Sequence, residues 1–229
     1  MISNKKALEM IDVIANMFPN AECELVHDNP FELTIAVLLS AQTTDISVNK
    51  LTKNLFKKYK TPEDYLNVDI SELENDLRTI GLYRNKAKNI QKLCASLLNK
   101  FDGVIPQTHA ELESLAGVGR KTANVVMSVA FNEPSLAVDT HVERVAKRLG
   151  ICRWKDNVRQ VEDKLCKVVP RERWNKTHHQ LIFFGRYHCL ARSPKCDICP
   201  LFNECREGQK RYKASLKEVW HNWFQKKIL

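Results

Sequence analysis

The sequence lacks any long apolar run. None of its hydrophobic stretches approaches the roughly 20 residues that a membrane-spanning helix needs. Residues 1–18 form an amphipathic pattern broken by charge, without the uninterrupted apolar core of a secretory signal. Internal repeats, low-complexity linkers and convincing strand patterns are also missing. We therefore expect a helical, globular chain with no membrane segment, located in the cytoplasm.

The sequence also has fewer acidic than basic residues. The 229 residues include 27 Asp and Glu against 36 Lys and Arg, which gives a net charge of +9. The length is enough for one large domain or two modest ones, and the hydrophobic share of 44% is enough for a packed core. This positive charge suits a polyanionic partner or a membrane surface, and in a cytoplasmic chain the composition favours a protein that acts on nucleic acid.

Apolar residues at helical spacing recur along almost the whole chain, which predicts an all-α fold. The run after Asn29-Pro30, through Leu39, is predicted to lie at the centre of the core. We predict a full capping box at Ser71 and a final helix from Thr177 to Leu190.

Two glycines, Gly117 and Gly119, separate an amphipathic run from an apolar helix that begins at Arg120. Glycine lets another backbone come close, and a helix N-terminus directs free N–H groups at an anion. The simplest interpretation of the two glycines is an ordinary αα-corner with no binding function. A phosphate-binding P-loop is excluded because Arg-Lys-Thr follows Gly119 and no strand precedes it. Lys121 and the Asp139-Thr140 pair favour a helix-hairpin-helix that clamps a DNA backbone.

Four of the eight cysteines are scattered through apolar stretches and are predicted to be small buried residues. The other four fall within seventeen residues, at Cys189, Cys196, Cys199 and Cys205. Four thiolates would satisfy zinc, although zinc loops usually pair two Cys-x2-Cys knuckles and only one is present. An iron–sulfur cluster is the second possibility, and disulfides are the weakest for a cytoplasmic chain.

The stretch Leu-x-Gly-Val-Gly-Arg-Lys-Thr-Ala, followed by Val-Asp-Thr-His-Val, resembles the endonuclease III branch of the helix-hairpin-helix DNA glycosylases. The resemblance covers about residues 8–211 and departs at Ala116, where the family usually has proline. It implies a six-helix barrel with the hairpin (22–133), an iron–sulfur cluster domain (1–21 and 134–211) and a DNA-binding cleft between them. Residues 212–229 form an extension that we expect to be helical.

The resemblance also selects the cofactor and the cluster ligands. The uneven cysteine spacing matches the [4Fe–4S] loop of these relatives, so all four clustered cysteines are expected to bind iron. We expect the cluster to be structural, folding a loop whose Arg192 and Lys195 meet DNA phosphates.

The implied function is base-excision DNA repair: an N-glycosylase that removes oxidised or damaged pyrimidines and cleaves the abasic site by β-elimination. In relatives with both motifs, the matching lysine is the nucleophile and the matching aspartate its partner, which assigns these roles to Lys121 and Asp139. An uncharged lysine amine can attack C1′ of the sugar, and a carboxylate stabilises the cationic sugar that develops. Taken alone, Lys121 would be a phosphate contact and Asp139 an N-cap.

Further DNA contacts are expected from family matches. Gln42 and Leu82 match the residues that fill the gap left by a flipped nucleotide, although without the resemblance each would be assigned as an ordinary helix-end residue. His141 matches a residue near the flipped nucleotide. The remaining expected contacts are the hairpin residues Gly117, Val118, Gly119, Arg120 and Thr122.

Two rival functions stay open at this point: a non-catalytic helix-hairpin-helix module and a mismatch-specific glycosylase of the same superfamily. Lys121 together with Asp139 argues against the first. The expected partner is double-stranded DNA with damaged bases or abasic sites, bound by a monomer associated with the bacterial nucleoid. Leu216 to Phe224 form an apolar stripe that predicts a packed C-terminal helix rather than a partner-binding tail.

Overall fold

The computed structural model describes residues 1–213, and every regular element among them is helical, which confirms the all-α prediction. The α-helices are α1 (Asn4–Met17), α2 (Pro30–Leu39), α3 (Asp45–Lys58), α4 (Pro62–Asn67), α5 (Ile70–Leu77), α6 (Tyr83–Phe101), α7 (His109–Glu113), α8 (Arg120–Ala130), α9 (Thr140–Arg148), α10 (Val158–Val168) and α11 (Trp174–Phe183). A 3₁₀ turn (Arg171–Arg173) precedes α11 and a π-helical segment (Phe184–His188) follows it.

The chain divides into two compact units. A central unit runs from Cys23 to Ala137, and a terminal unit joins Met1–Glu22 to the chain from Val138 onward. In residues 1–213 no helix has the length and apolarity that crossing a membrane requires.

Helix α2 lies at the centre of the central unit. Asn29 caps its first turn by accepting from the Glu32 N–H, and Pro30 occupies a first-turn position that needs no donor. Residues 33–39 are all buried, and the helix packs on α3, α6 and α8. The apolar run therefore forms the core as predicted.

In the terminal unit, α1 packs on α10 and α11, while α9 packs on α11 and the π-helical segment. Helix α9 begins at the Asp139 N-cap and ends before Gly150, which has a φ of +79°. This arrangement places the start of α9 against the chain that leads into the cysteine loop.

Two local predictions are wrong. Helix α5 is capped by Asp69, whose carboxylate accepts from the Ser71 N–H at 2.8 Å, so Ser71 starts no capping box. Asp69 lies two residues earlier and supplies the stronger acceptor. The last predicted helix begins at Trp174 rather than Thr177, and its final turn is π-helical, a change that apolar periodicity does not reveal.

The C-terminal extension is described only in part. Residues 206–213 are helical, and the apolar stripe from residue 216 to residue 224 lies outside the described residues.

Candidate active site

The hairpin turn links α7 to α8 and depends on Gly117. This residue has a φ of +78°, and a Cβ built on it would lie 3.0 Å from Leu38 Cδ1 and 3.1 Å from Asn89 Cβ. The positive φ is strained for a residue with a side chain, and an added Cβ would press on both neighbours, so glycine is favoured at this position. The next residue, Val118, closes the turn by donating its N–H to Leu115 O at 3.1 Å, and its side chain is buried in the core. Neither the N–H nor the side chain of Val118 is therefore available to a partner.

Gly119 has the opposite character. Its backbone is extended (φ −98°, ψ 178°), and a Cβ built there would meet nothing within 4 Å. The fold of this chain therefore does not itself demand glycine at 119. As the N-cap of α8, Gly119 supplies no side-chain acceptor to the first turn. The start of α8 is thus open to the close approach of an external anion, which the helix dipole favours.

Lys121 is exposed in the first turn of α8, whereas residues 122–128 of the same helix are buried. The core thus holds the helix that carries this amine. Arg120 makes an ion pair with Glu113 at 3.6 Å, and the Thr122 side chain is buried. Of the predicted contacts on α8, Arg120 and Lys121 reach solvent with their side chains and Thr122 does not.

Sequence reasoning missed that Cys23 lies near Lys121. Burial raises the pKa of the half-buried Cys23 thiol, Asp45 raises it further and Lys121 lowers it. Cys23 therefore lies within electrostatic reach of both Asp45 and Lys121. The sequence predicted only a small buried residue at position 23, because nothing in the local pattern relates it to a lysine almost a hundred positions later.

A buried polar clamp holds α7 against α8. His109 Nε2 lies 2.9 Å from Asn124 Oδ1, and Asn124 Nδ2 donates to Leu136 O at 3.1 Å. Asn124 is almost completely buried, so its bond to Leu136 O is shielded from water, while the contact with His109 is partly buried. The clamp fixes the angle of the hairpin and had no signal in the sequence beyond an asparagine inside an apolar helix.

Gln42 and Leu82 both adopt left-handed backbone conformations, with φ values of 54° and 59°. Both are exposed, and the Leu82 side chain is not packed as an ordinary helix-end leucine would be. Non-glycine residues adopt this conformation at a cost, and such strain concentrates at functional sites. Helix α6 begins directly after Leu82.

In the terminal unit, Asp139 is the N-cap of α9. Its Oδ1 accepts from the His141 and Val142 N–H groups, both at 2.8 Å. Its Oδ2 lies 2.9 Å from His141 Nδ1. Asp139 therefore is an N-cap, as its position in the sequence alone predicts. The same carboxylate also orients the His141 ring. Both side chains retain partial exposure, so capping does not withdraw the carboxylate from chemistry.

Gly185 in the π-helical segment packs against the start of α9. A Cβ built on it would lie 2.9 Å from His141 Cβ and 3.3 Å from both His141 O and Val145 Cγ2. No other residue type fits at this distance, so the π-helical segment supports the corner that carries Asp139. Sequence reasoning assigned Gly185 no role.

The four clustered cysteines form no disulfide and line one pocket with apolar neighbours, including Leu149, Phe184 and Phe202. Burial raises the pKa of Cys196, Cys199 and Cys205, and the other thiols raise it further. Two N–H groups already point at sulfur: Arg148 Nη1 lies 3.4 Å from Cys189 Sγ, and the Gly208 N–H lies 3.4 Å from Cys205 Sγ.

This donor set fits an iron–sulfur cluster. Four thiolates in an apolar pocket need a compensating metal charge, and hydrogen bonds to the sulfurs are typical of such sites. Among residues 1–213 no group of three or more Cys, His, Asp or Glu side chains is placed to hold a single metal ion. Each thiolate of a [4Fe–4S] cluster binds a different iron, so its ligands surround the cluster instead of meeting at one point.

Two arginines of α9, both missed by sequence reasoning, fasten the chain that enters the cysteine loop. The buried Arg148 donates to Leu190 O at 2.6 Å and to Ala191 O at 2.9 Å, and Arg144 donates to Gly185 O at 2.8 Å. Within the loop, Arg192 and Lys195 are exposed, as phosphate contacts must be.

Comparison with known proteins decides the family. Residues 35–171 match the model of the HhH-GPD superfamily of base excision DNA repair proteins. Residues 189–205, bounded by the first and last cysteines of the cluster, match the iron–sulfur binding domain of endonuclease III. The chain is 63% identical over 214 residues to endonuclease III of Bacillus subtilis, covering 93% of this chain and 98% of that protein. This chain belongs to the endonuclease III family.

Other relatives agree with this assignment. Endonuclease III of Escherichia coli is 46% identical over 91% of this chain and 99% of its own length. A solved non-covalent endonuclease III–DNA complex matches with a TM-score of 0.92 and 61% identity, over 93% of this chain and 100% of that one. A trapped covalent endonuclease III–DNA intermediate matches with the same TM-score and 62% identity.

Membership of the endonuclease III family confirms the predicted class of enzyme, a DNA glycosylase and abasic-site lyase of base-excision repair. It also confirms the [4Fe–4S] cofactor. A non-catalytic docking module is inconsistent with this membership.

Proposed function

We propose that this endonuclease III family member removes oxidised or otherwise damaged pyrimidines from double-stranded DNA and then cleaves the abasic site, with Lys121 as nucleophile. The observation that carries this proposal is the placement of Lys121. Its side chain is exposed beside an uncapped, glycine-opened helix start, on a helix whose following residues are buried. The helix presents the amine at the point where the dipole and the open turn favour a phosphate backbone.

In the proposed reaction, the uncharged Lys121 amine attacks C1′ of the damaged nucleotide and the base leaves with its bonding electrons. The attached amine gives one proton to the departing base and a second to the ring oxygen O4′ as the C1′–O4′ bond breaks, which leaves an imine between the lysine and C1′. The imine makes the C2′ proton acidic. Removal of that proton expels the 3′ phosphate by β-elimination, and water then releases the lysine.

Asp139 is proposed to stabilise the cationic sugar and to relay protons. Its Oδ1 is held by two backbone N–H groups, so the carboxylate is fixed in direction. Its Oδ2 faces the His141 ring, which places an imidazole beside the same oxygen. We infer that His141 contacts the flipped nucleotide from this position.

DNA recognition is proposed to divide between backbone and gap contacts. Gly119 and the first turn of α8 meet a phosphate, and the exposed Arg192 and Lys195 meet others. Gln42 and Leu82 fill the space left by the extruded nucleotide, a role supported by their exposure and strained backbones.

We infer that the thiolates of Cys189, Cys196, Cys199 and Cys205 hold the cluster. When bound, it supplies a four-point metal crosslink of the loop rather than a reactive group. Arg148 and Gly208 contribute N–H groups to the sulfurs, and the loop carries Arg192 and Lys195. We also propose that the enzyme acts as a monomer in the cytoplasm, at the nucleoid.

The test of the nucleophile is borohydride trapping on a duplex with one abasic site. The wild-type protein should give a covalent adduct, and Lys121→Ala should give none. Lys100→Ala, which removes an exposed lysine from α6, should trap like the wild type. An undiminished adduct with Lys121→Ala would rule out this residue as the nucleophile.

A second substrate class is tested in the same system. A thermostable thymine-DNA glycosylase matches with a TM-score of 0.82 and 26% identity, which favours including mismatched bases. Single-turnover rates on duplexes that each carry one oxidised pyrimidine, one abasic site or one T·G mismatch should rank the first two above the third. A faster rate on the mismatch would replace the proposed substrate class.

A further inference from the structure

Lys86 is a buried lysine that the proposed reaction does not use. It lies in the first turn of α6 and is only 4% exposed. Its Nζ donates to Thr43 Oγ1 at 2.9 Å. Among the described residues no ion pair involves Lys86, and burial lowers the pKa of its ammonium. Lysine is almost never buried without a carboxylate partner, so fold stability alone does not explain it.

The two ends of the Lys86 contact lie at the two strained loops. Thr43 directly follows Gln42, and its N–H donates to Ser40 O at 3.1 Å. On the other side, the Lys86 backbone N–H donates to Leu82 O at 3.0 Å. One residue therefore contacts the neighbour of Gln42 with its side chain and Leu82 with its backbone.

Left-handed conformations at non-glycine residues persist only where the surrounding structure fixes them. Gln42 and Leu82 are 40 positions apart in sequence, and both are exposed at loop tips with positive φ. Thr43 and Lys86 are 43 positions apart and join these loops by a side-chain hydrogen bond. A charged donor makes this bond stronger than one between neutral groups.

We propose that Lys86 is a positioning residue that ties the Gln42 loop to the Leu82 loop through Thr43, so that both side chains enter the duplex at a fixed separation. The inference rests on the proposed gap-filling function of Gln42 and Leu82. Lys86 touches neither the sugar nor the base. Its effect is to keep the two loops from moving apart when the base stack closes on them.

Four variants isolate the tether. Lys86→Met keeps the apolar stem and removes the donor, while Thr43→Val keeps the side-chain shape and removes the acceptor. Thr43→Ser restores a hydroxyl and serves as the conservative rescue. Lys100→Met removes the same charge from the exposed far end of α6, about 21 Å along the helix from Lys86, and serves as the control.

Each variant is assayed for abasic-site cleavage on a duplex and on a single strand of the same sequence. The duplex carries 2-aminopurine opposite the abasic site, which reports loss of stacking as a rise in fluorescence. A single strand has no stack to fill, so it measures the chemistry without the gap.

For Lys86→Met and Thr43→Val we expect the duplex KM to rise about tenfold, as loss of a charge-assisted hydrogen bond implies, with kcat within about twofold. The fluorescence rise should shrink, and single-strand cleavage should stay at the wild-type level. The Tm should be unchanged or higher for Lys86→Met, because a buried charge is replaced by an apolar side chain. Thr43→Ser should restore the duplex KM, and the double variant should be no worse than either single variant.

Equal losses on duplex and single strand would overturn the inference, as would a Thr43→Val enzyme with the wild-type duplex KM. The two proposals fail in distinguishable ways. A wild-type protein that gives no borohydride adduct removes the proposed function. A wild-type protein that traps normally, with Lys86 variants that behave like Lys100→Met, removes only the tether.

Discussion

At the scale of the residue, the two glycines of the hairpin exist for different physical reasons. Gly117 is favoured by the fold, because its φ is +78° and a Cβ would approach Leu38 and Asn89 at about 3 Å. Gly119 has an ordinary extended backbone and open space beside its Cα. We propose that a DNA backbone coming close from outside the chain explains this glycine, so stability and DNA affinity should separate at these positions.

Alanine at each glycine tests this difference. Gly117→Ala should lower the free energy of unfolding by about 1–2 kcal/mol from backbone conformation alone, with the Leu38 contact adding to it. Gly119→Ala should lower it by less, about 0.5 kcal/mol from the poorer N-cap, but weaken binding to an abasic duplex about tenfold. Chemical denaturation and fluorescence anisotropy measure the two quantities. Equal destabilisation by both substitutions would contradict the distinction.

Asp139 combines a structural and a proposed chemical role in one carboxylate, and these roles are separable. Asp139→Asn keeps an oxygen that accepts from the His141 and Val142 N–H groups, so the cap should survive. Asp139→Ala removes the cap and should cost about 1 kcal/mol of stability. Both variants should lose abasic-site cleavage at least about a hundredfold, since both remove the negative charge.

Thermal denaturation and single-turnover cleavage on one protein preparation distinguish the two contributions. If Asp139→Asn kept its cleavage rate while Asp139→Ala lost both stability and rate, Asp139 would be a cap and nothing more.

At the scale of the element, α9 connects the proposed active-site carboxylate to the cysteine loop. Asp139 caps its N-terminus, while Arg144 and Arg148 donate to carbonyl groups between Gly185 and Ala191. Gly185 lies in the π-helical segment and packs directly against His141. A shift of the cysteine loop therefore reaches the start of α9 through packed atoms.

Gly185→Ala tests this connection. The added Cβ would lie 2.9 Å from His141 Cβ, so the π-helical segment and α9 must separate. We expect a loss of about 1–3 kcal/mol in the free energy of unfolding, typical of overpacking, together with a lower kcat because Asp139 and His141 move. Gly81→Ala, where a Cβ meets nothing within 4 Å, is the stability control and should stay within about 0.5 kcal/mol. Wild-type stability of Gly185→Ala would show that this contact yields easily.

At the scale of the whole molecule, the net charge of +9 favours binding to a polyanion, and the contacts made with phosphates determine how that binding responds to salt. Each phosphate that a lysine or arginine neutralises releases counterions, and affinity then falls linearly with salt on logarithmic axes. The exposed Arg192 and Lys195 of the cysteine loop are proposed to contribute to this slope. Paired cations should not contribute.

Measured by anisotropy between about 50 and 200 mM salt, Arg192→Met and Lys195→Met should each reduce the slope by about 1. Lys58→Met should leave the slope unchanged, because Lys58 is already paired with Glu72 and Asp76, each at 2.7 Å. An unchanged slope for both loop variants would remove the cysteine loop from the DNA interface.

The contacts that hold the site in place were not predictable from the chain as written. Lys86 and Thr43 are 43 positions apart in the sequence, and so are Arg148 and Ala191. His109 reaches Asn124 across 15. None of these pairs shares a local pattern, because each depends on which helix faces meet after packing.

The sequence by itself determined the helical class, the glycine hairpin and the four-cysteine loop, because helical periodicity, caps and ligand spacing are local and can be read along the chain. Only the tertiary structure decided why Gly117 and not Gly119 is favoured by the fold, where the last helix becomes π-helical, and that a buried lysine joins two strained loops. Those features depend on atoms brought together from distant positions, whose separation along the chain carries no trace of their contact.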